Sequence, residues 1–157
     1  MERAGTAEQG AITGLFTVLV EGDDMNDPIA DTVRSILDGH IVLSRDLATR
    51  NHYPAIDVLE SVSRLTRDLL NGDELAMTAR ARDLLATYRQ NQDLINIGAY
   101  PAGSSPAIDE AIRLNEPLRQ FLRQAVDQGF DSNDSWKLLG KTLKPESPSP
   151  AAAPKKG

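Results

Sequence analysis

The sequence contains no cysteine. That removes disulfides, thiolate zinc sites and cysteine nucleophiles from consideration. Aromatic residues are scarce, at 4% of 157 residues, so any core has to be built mostly from Leu, Ile, Val and Ala. There are only two histidines, His40 and His52, with no Ser, Cys or metal-ligand companion at useful spacing. Each reads as a hydrogen-bonded structural histidine. No apolar run is long: Ala11 to Val20 falls well short of the ~20 residues a bilayer span takes, and it lacks the position and basic flank of a secretory signal. Positive charge is also in deficit, with 17 Lys+Arg against 23 Asp+Glu and a net charge of -6. Such a balance argues against nucleic acid or an anionic membrane surface as the main partner. With 40% hydrophobic and 25% charged residues, the expectation is a soluble, cytoplasmic chain of one ordinary domain or two small ones.

The run Ile12-Thr13-Gly14-Leu15-Phe16-Thr17-Val18-Leu19-Val20 is short, β-branched and almost continuously apolar, as a strand buried on both faces would be. Glu21-Gly22-Asp23-Asp24 closes it with turn chemistry. Asp27-Pro28 reads as a helix start, Ile29, Val33, Ile36 and Leu37 recur at helical spacing, and Gly39 stands where a helix-terminating glycine belongs. His40-Ile41-Val42-Leu43 is a second strand candidate. Strand, helix and strand in this order form a βαβ-like unit, which predicts a parallel sheet.

The character changes after Arg64. Leu65 to Leu70, Leu75 to Ile97, Ala107 to Leu114, Leu118 to Ala125 and Trp136 to Leu143 all read as helices. Leu84, Leu85, Tyr88 and Ile95 share one helical face, and Tyr100 to Pro106 is a loop from which Ser105-Pro106 restarts a helix. From Lys144 the chain turns Pro/Ser/Ala-rich, the composition of a flexible tail. Two strands and one helix cannot cover both faces of a parallel sheet. The first part therefore reads as the last piece of a larger α/β domain, followed by a complete small helical one.

Three motifs in the sequence bear on chemistry. Gly140-Lys141-Thr142 matches the end of a phosphate loop, but Ser135 occupies the place of its first glycine, a helical pattern precedes it and Pro145 follows, so it reads as the end of a terminal helix. The acidic group Glu21 to Asp24 reads as a strand-end turn and not as a metal site. The segment His52 to Arg64 carries more. Tyr53-Pro54 sets an aromatic on a stiff turn, where it can stack on a base. Arg64 follows Ser61-Val62-Ser63 at the change from α/β to helix, where a guanidinium can pair with phosphate oxygens. From the residues alone the plainer reading leads: Tyr53 as a packing residue and Arg64 as a surface charge at a helix start.

At these residues the sequence resembles a known family. Gly10 to Thr13, Thr17 to Asp31, Ser35 to Arg45 and Tyr53 to Arg64 are similar to the C-terminal part of the type III export ATPases, hexameric relatives of the rotary F-type ATPase subunits. Asp93 to Tyr100, Gly103 to Ser105, Ile108 to Ile112 and Phe121 to Gln124 look like the flagellum-specific branch. The resemblance covers almost everything from Met1 to Leu143. It implies an α/β plus all-α fold: the end of a RecA-like P-loop ATPase core over residues 1–68, a helical domain over 69–143, and a tail over 144–157.

The resemblance also assigns roles. Arg64 matches the family's arginine finger, which reaches a neighbouring subunit's γ-phosphate. Tyr53 matches the tyrosine that packs on the adenine of the subunit's own nucleotide, with Phe121 as a weaker candidate for the other side of that pocket. ATP and Mg2+ are the implied ligands. A homohexamer, export chaperone–cargo complexes, a stator-like regulator and the export gate are the implied partners, in the bacterial cytoplasm at the base of the flagellar export apparatus. Ala11 departs from the family's Gly-Ser-Ile-Thr pattern. The phosphate loop, the water-orienting glutamate and the magnesium-positioning aspartate are not in this sequence, so the chain alone is expected not to hydrolyse ATP. Two alternatives stand beside this reading: a stand-alone, non-enzymatic module that binds chaperone–cargo complexes, and a piece of an injectisome ATPase.

Overall fold

The structure, a computed structural model, describes residues 4–19 and 28–144. The acidic turn Glu21 to Asp24, the capping Asp27 and the tail beyond Lys144 lie outside these residues. The chain divides into two compact units, Met1–Leu37 and Asp38–Gly157.

In the first unit, β1 (Gly5–Thr6) pairs antiparallel with β2 (Ala11–Ile12), Gly5 opposite Ile12 and Thr6 opposite Ala11. The Ala7 N–H donates to the Gly10 carbonyl at 3.0 Å and closes the turn, and Gly10 has φ 85°, a conformation that favours glycine. Helix α1 (Pro28–Ile36) begins on its proline, which has no N–H to leave unsatisfied there. The expected long strand is not formed. Only Ala11 and Ile12 pair, and residues 13–19 have no regular structure, with Leu15 and Leu19 at 92% and 94% exposure. A strand buried on both faces needs partners on both edges and cover on both sides. β1 supplies a two-residue partner on one edge only.

The second unit opens with β3 (Gly39–Leu43), followed by α2 (Arg45–Thr49), β4 (Ile56–Ser63) and α3 (Thr66–Leu69). The expected parallel pairing, of Ile12–Val20 with His40–Leu43, has no strand at residues 13–19 to make it, and β3 runs antiparallel to β4. The connection between them carries only the short α2, and a βαβ crossover needs a longer one. Ser44 starts α2 by accepting the Leu47 N–H at its hydroxyl. Gly39 is the first residue of β3 and not a helix terminator. A Cβ there would lie 2.5 Å from the Val62 carbonyl oxygen and 3.1 Å from Ser63 Cα, so only glycine lets the two strands approach this closely. Gly39→Ala is expected to destabilise the chain by about 1–3 kcal/mol, because backbone rather than a movable side chain fills the space. A denaturant midpoint unchanged from the parent would show that β3 and β4 do not approach this closely.

Three helices complete the unit: α4 (Gly72–Asn96), α5 (Pro106–Phe121) and α6 (Ser132–Thr142). α4 starts in a capping box. The Asn71 side chain accepts the Glu74 N–H at 3.0 Å, and the Glu74 carboxylate accepts the Asn71 N–H at 3.0 Å. Asp109, in the first turn of α5, takes the Gly103 N–H on both carboxylate oxygens at 3.1 Å and the Tyr100 hydroxyl at 3.1 Å, which folds the preceding loop onto the helix. α5 runs through Pro117 as one helix where the sequence predicts two. Pro117 lies on the exposed side, where water takes the place of the missing i→i−4 bond.

The core of this unit is Leu84 from α4, Ala111, Leu114 and Leu118 from α5, and Leu139 and Leu143 at the end of α6. Met77, Ala81, Leu85, Tyr88, Phe121 and Trp136 pack around it. Gly140 lies inside α6 with its Cβ position 3.3 Å from the Met77 sulfur, so the phosphate-loop-like tripeptide is a helix–helix contact.

Candidate functional site

Tyr53 stands at the end of a turn that the backbone fixes. Asn51 takes φ 55°, a conformation asparagine tolerates better than most residues. The His52 N–H donates to the Leu47 carbonyl at 2.9 Å, and the Tyr53–Pro54 peptide is cis. Half of the Tyr53 side chain is open to solvent, at 52%. The segment after α5 is tied to the same turn. The Gln124 N–H donates to the Tyr53 carbonyl at 2.9 Å, and the Arg123 guanidinium donates to the carbonyls of Asn51 at 3.0 Å and Arg50 at 3.4 Å. Phe121, the last residue of α5, is half-buried against the helical core. Two of the three sequence candidates, Tyr53 and Phe121, thus come from segments joined by hydrogen bonds.

His52 sits beneath that turn at 4% exposure, and its ring Nδ1 is buried without a hydrogen-bond partner. At this nitrogen the expected hydrogen-bonded histidine is not found. His40 meets the expectation, its Nε2 lying 3.2 Å from the Glu60 carbonyl oxygen. Burial, and then the nearby charges of Arg123 and Arg119, hold the His52 pKa below the ordinary 6.5. The unfolded chain therefore binds a proton that the folded chain refuses. The folded state keeps its full stability above pH 6.5 and loses it as the pH falls from 6.5 toward the lowered value, below which the loss is constant. Thermal unfolding should show a lower midpoint at about pH 5 than at about pH 7.5, and His52→Gln should flatten that part of the profile. An equal slope in the variant would assign the dependence to other groups.

Arg64 lies elsewhere. It follows the last residue of β4, is exposed, and its N–H donates to the Asp38 carbonyl at 2.8 Å. Tyr53 precedes the other end of the strand. The pairing between them runs from Leu43 opposite Ile56 to Gly39 opposite Ser63, so the bulged strand advances only as far as the five residues of β3, roughly 13 Å at ~3.3 Å per residue.

Between them β4 is irregular. His40 pairs with Val62 and Val42 with Asp57, so residues 58–61 of β4 bulge opposite Ile41 alone. Side chains satisfy the bulged backbone. Asp57 Oδ1 accepts the N–H groups of Leu59 at 2.9 Å and Glu60 at 3.1 Å. The Ser61 hydroxyl donates to the Asp57 carbonyl at 2.6 Å and accepts the Val42 N–H at 3.0 Å. From α4, the Arg82 guanidinium donates to the Val58 carbonyl, to Leu59 at 3.0 Å and to Ser61 at 3.3 Å. Arg89, two turns along, bridges the carboxylates of Asp57 at 3.0 Å and Glu60 at 3.3 Å. The sequence reading missed this cluster. Its signal is the series Ala79, Arg82, Ala86, Arg89, where small residues and arginines alternate on one helical face. Among the described residues no three His, Asp or Glu side chains converge on a possible metal position, and no helix is long and apolar enough to cross a membrane.

Comparison with known proteins accounts for both parts of the chain. Residues 1–63 match the nucleotide-binding domain of the ATP synthase alpha/beta family, and residues 70–141 match the T3SS EscN ATPase C-terminal domain. The flagellum-specific ATP synthase of Bacillus subtilis is 54% identical over 128 residues, covering 82% of this chain and 29% of that protein. The type 3 secretion system ATPase of Pseudomonas syringae pv. tomato is 54% identical over 124 residues, covering 79% and 28%. The chain therefore spans less than a third of these relatives' length. The assembled ATPase EscN from the type III secretion system of enteropathogenic E. coli superimposes with a TM-score of 0.87 at 43% identity, over 91% of this chain and 35% of that one. EscN in complex with its central stalk EscO superimposes with a TM-score of 0.82 at 40% identity, over 92% and 34%. Flagellar and secretion relatives match at the same identity, so the similarity does not divide the two branches. The chain belongs to the type III and flagellar export ATPases of the ATP synthase alpha/beta family.

Proposed function

We propose that this chain is the C-terminal part of an ATPase that couples ATP hydrolysis to type III protein export, and that it serves two different nucleotide sites at once. Arg64 is the arginine finger, offered in trans to the γ-phosphate held by a neighbouring subunit. Tyr53 packs on the adenine of the subunit's own ATP, with Phe121 behind it. The observation that carries this reading is the placement of Arg64 and Tyr53 at opposite ends of β4. Residues at opposite ends of one strand suit a ring in which each subunit completes the next one's site.

The assembly in this reading is a homohexamer, and the assembled state of EscN supports it. The boundary between the two family matches, from 63 to 70, supports residues 1–68 as the end of the ATPase core and 69–143 as the helical domain. In this reading ATP brings Mg2+ with it, and the phosphate loop, the water-orienting carboxylate and the magnesium ligands come from outside this sequence. The chain by itself is inactive. Chaperone–cargo complexes, a stalk-like regulator of the kind bound to EscN and the export gate are the partners, at the cytoplasmic face of the export apparatus.

The test is reconstitution. This chain would be mixed with a full-length relative whose arginine at the matching position is alanine, and phosphate release recorded with ATP and Mg2+. Rescue by the parent chain but not by its Arg64→Ala variant is the expected result. A folded chain that binds the hexamer without restoring turnover would overturn the role of Arg64.

A further inference from the structure

We propose that Arg82 is a positioning residue for Arg64, a fork on the helical part of the fold that sets where the finger points. The inference rests on the reading of Arg64 given above. Four backbone carbonyls in the bulge at residues 58–61 need partners. Glu60 has His40, and the other three all go to the one guanidinium of Arg82. A guanidinium presents several N–H groups in a fixed plane, which lysine cannot reproduce. The last of these carbonyls, Ser61, is three residues before Arg64. On the far side, the Arg64 N–H is held by Asp38, and Gly39 lets β3 close onto Val62 and Ser63.

The exit of β4 is thus held at two points, by β3 on one side and by α4 on the other. Arg82 is half-buried and meets the bulged backbone directly, whereas Arg89 is 47% exposed and reaches only side chains, the half-buried Asp57 and the exposed Glu60; ion pairs open to water contribute little. Arg82 is accordingly the member of the pair that fixes the backbone. α4 also contributes Leu84 to the helical core, so a tilt of the helical bundle reaches the bulge through Arg82.

The experiment uses a full-length ATPase in which this sequence replaces the matching part of the Bacillus subtilis relative. It also uses the 157-residue chain itself. In the ATPase, Arg82→Gln is expected to lower kcat between about tenfold and a hundredfold, the effect of misplacing a group by about an ångström, with the KM for ATP within about twofold. Arg82→Lys is expected to fall with it, because charge alone does not hold three carbonyls. In an Arg64→Ala background Arg82→Gln should cost nothing further, since there is no finger left to aim.

In the free chain, Arg82→Lys should speed amide exchange across residues 58–64 while α5 and α6 keep their protection. This measurement carries the test if Arg82→Gln does not assemble. An unchanged kcat, an equal loss in the Arg64→Ala background, or unchanged exchange across 58–64 would overturn the proposal. If Arg64→Ala alone keeps full turnover, the finger reading fails first, and this outcome is distinct from a failure of Arg82.

Discussion

Arg64→Ala is expected to reduce phosphate release by about 10³-fold or more in the assembled ATPase, the range over which such arginines act in phosphoryl transfer. The effect should fall on kcat and leave the KM for ATP almost unchanged. The reason lies in where charge develops. In the reading proposed above, the nucleotide's phosphates would be neutralised in the ground state by groups of the subunit that binds them. In the transition state negative charge spreads over the transferred group, and the proposed guanidinium from the next subunit would meet it there. An interaction made only in the transition state lowers kcat and kcat/KM equally when removed. Arg64→Lys should recover a small part of the rate, because lysine restores a point charge without the planar pair of donors. Equal kcat values for parent and variant would reduce Arg64 to the surface charge at a helix start that its sequence context alone supports.

Leu118→Ala has the largest expected effect on folding. Leu118 is 1% exposed, the largest fully buried side chain among the described residues, and sits at the meeting of α4, α5 and α6. Replacing a buried leucine by alanine costs about 2–5 kcal/mol, the upper end applying where neighbours cannot collapse into the gap. Here the neighbours are Leu114, Leu139 and Leu143, themselves held on helices. Against a total stability of about 5–15 kcal/mol for an ordinary domain, such a loss removes a third or more of what holds the helices together. Denaturant unfolding followed by far-UV circular dichroism should show a lower midpoint with an unchanged slope. A shift equivalent to less than about 1 kcal/mol would mean that the core can refill the space.

The helical half was legible in the sequence because its periodicity is local. The spacing of Ala111, Leu114 and Leu118, the Ser105-Pro106 start and the turn before Trp136 all act within a few residues. Pro117 misled because position decides its cost: on an exposed face it interrupts the hydrogen-bond ladder without ending the helix. The sheet half was less legible. β4 was not read as a strand, since Ile56 to Ser63 contains Asp57, Glu60 and two serines and its bulge breaks the alternation that marks strands. The parallel pairing was inferred from element order, and short-range order carries no information on strand direction. As for the site, residue type alone favours a packing residue at Tyr53 and a surface charge at Arg64, and only the family resemblance gives them roles. That they stand at opposite ends of one strand, and that an arginine from α4 grips the stretch between them, follows only from the fold.

The length of α4 has a mechanical consequence. It has 25 residues, and from Arg82 to its Asn96 end it extends about 20 Å at ~1.5 Å per residue. Arg82 lies near the middle of the helix, and Arg89 ties the same strand two turns on, so α4 meets β4 along a stretch and not at a single pivot. A displacement of the helix is therefore carried to the bulge beside Arg64 as a shift of the whole contact, without a turning point at which the motion cancels.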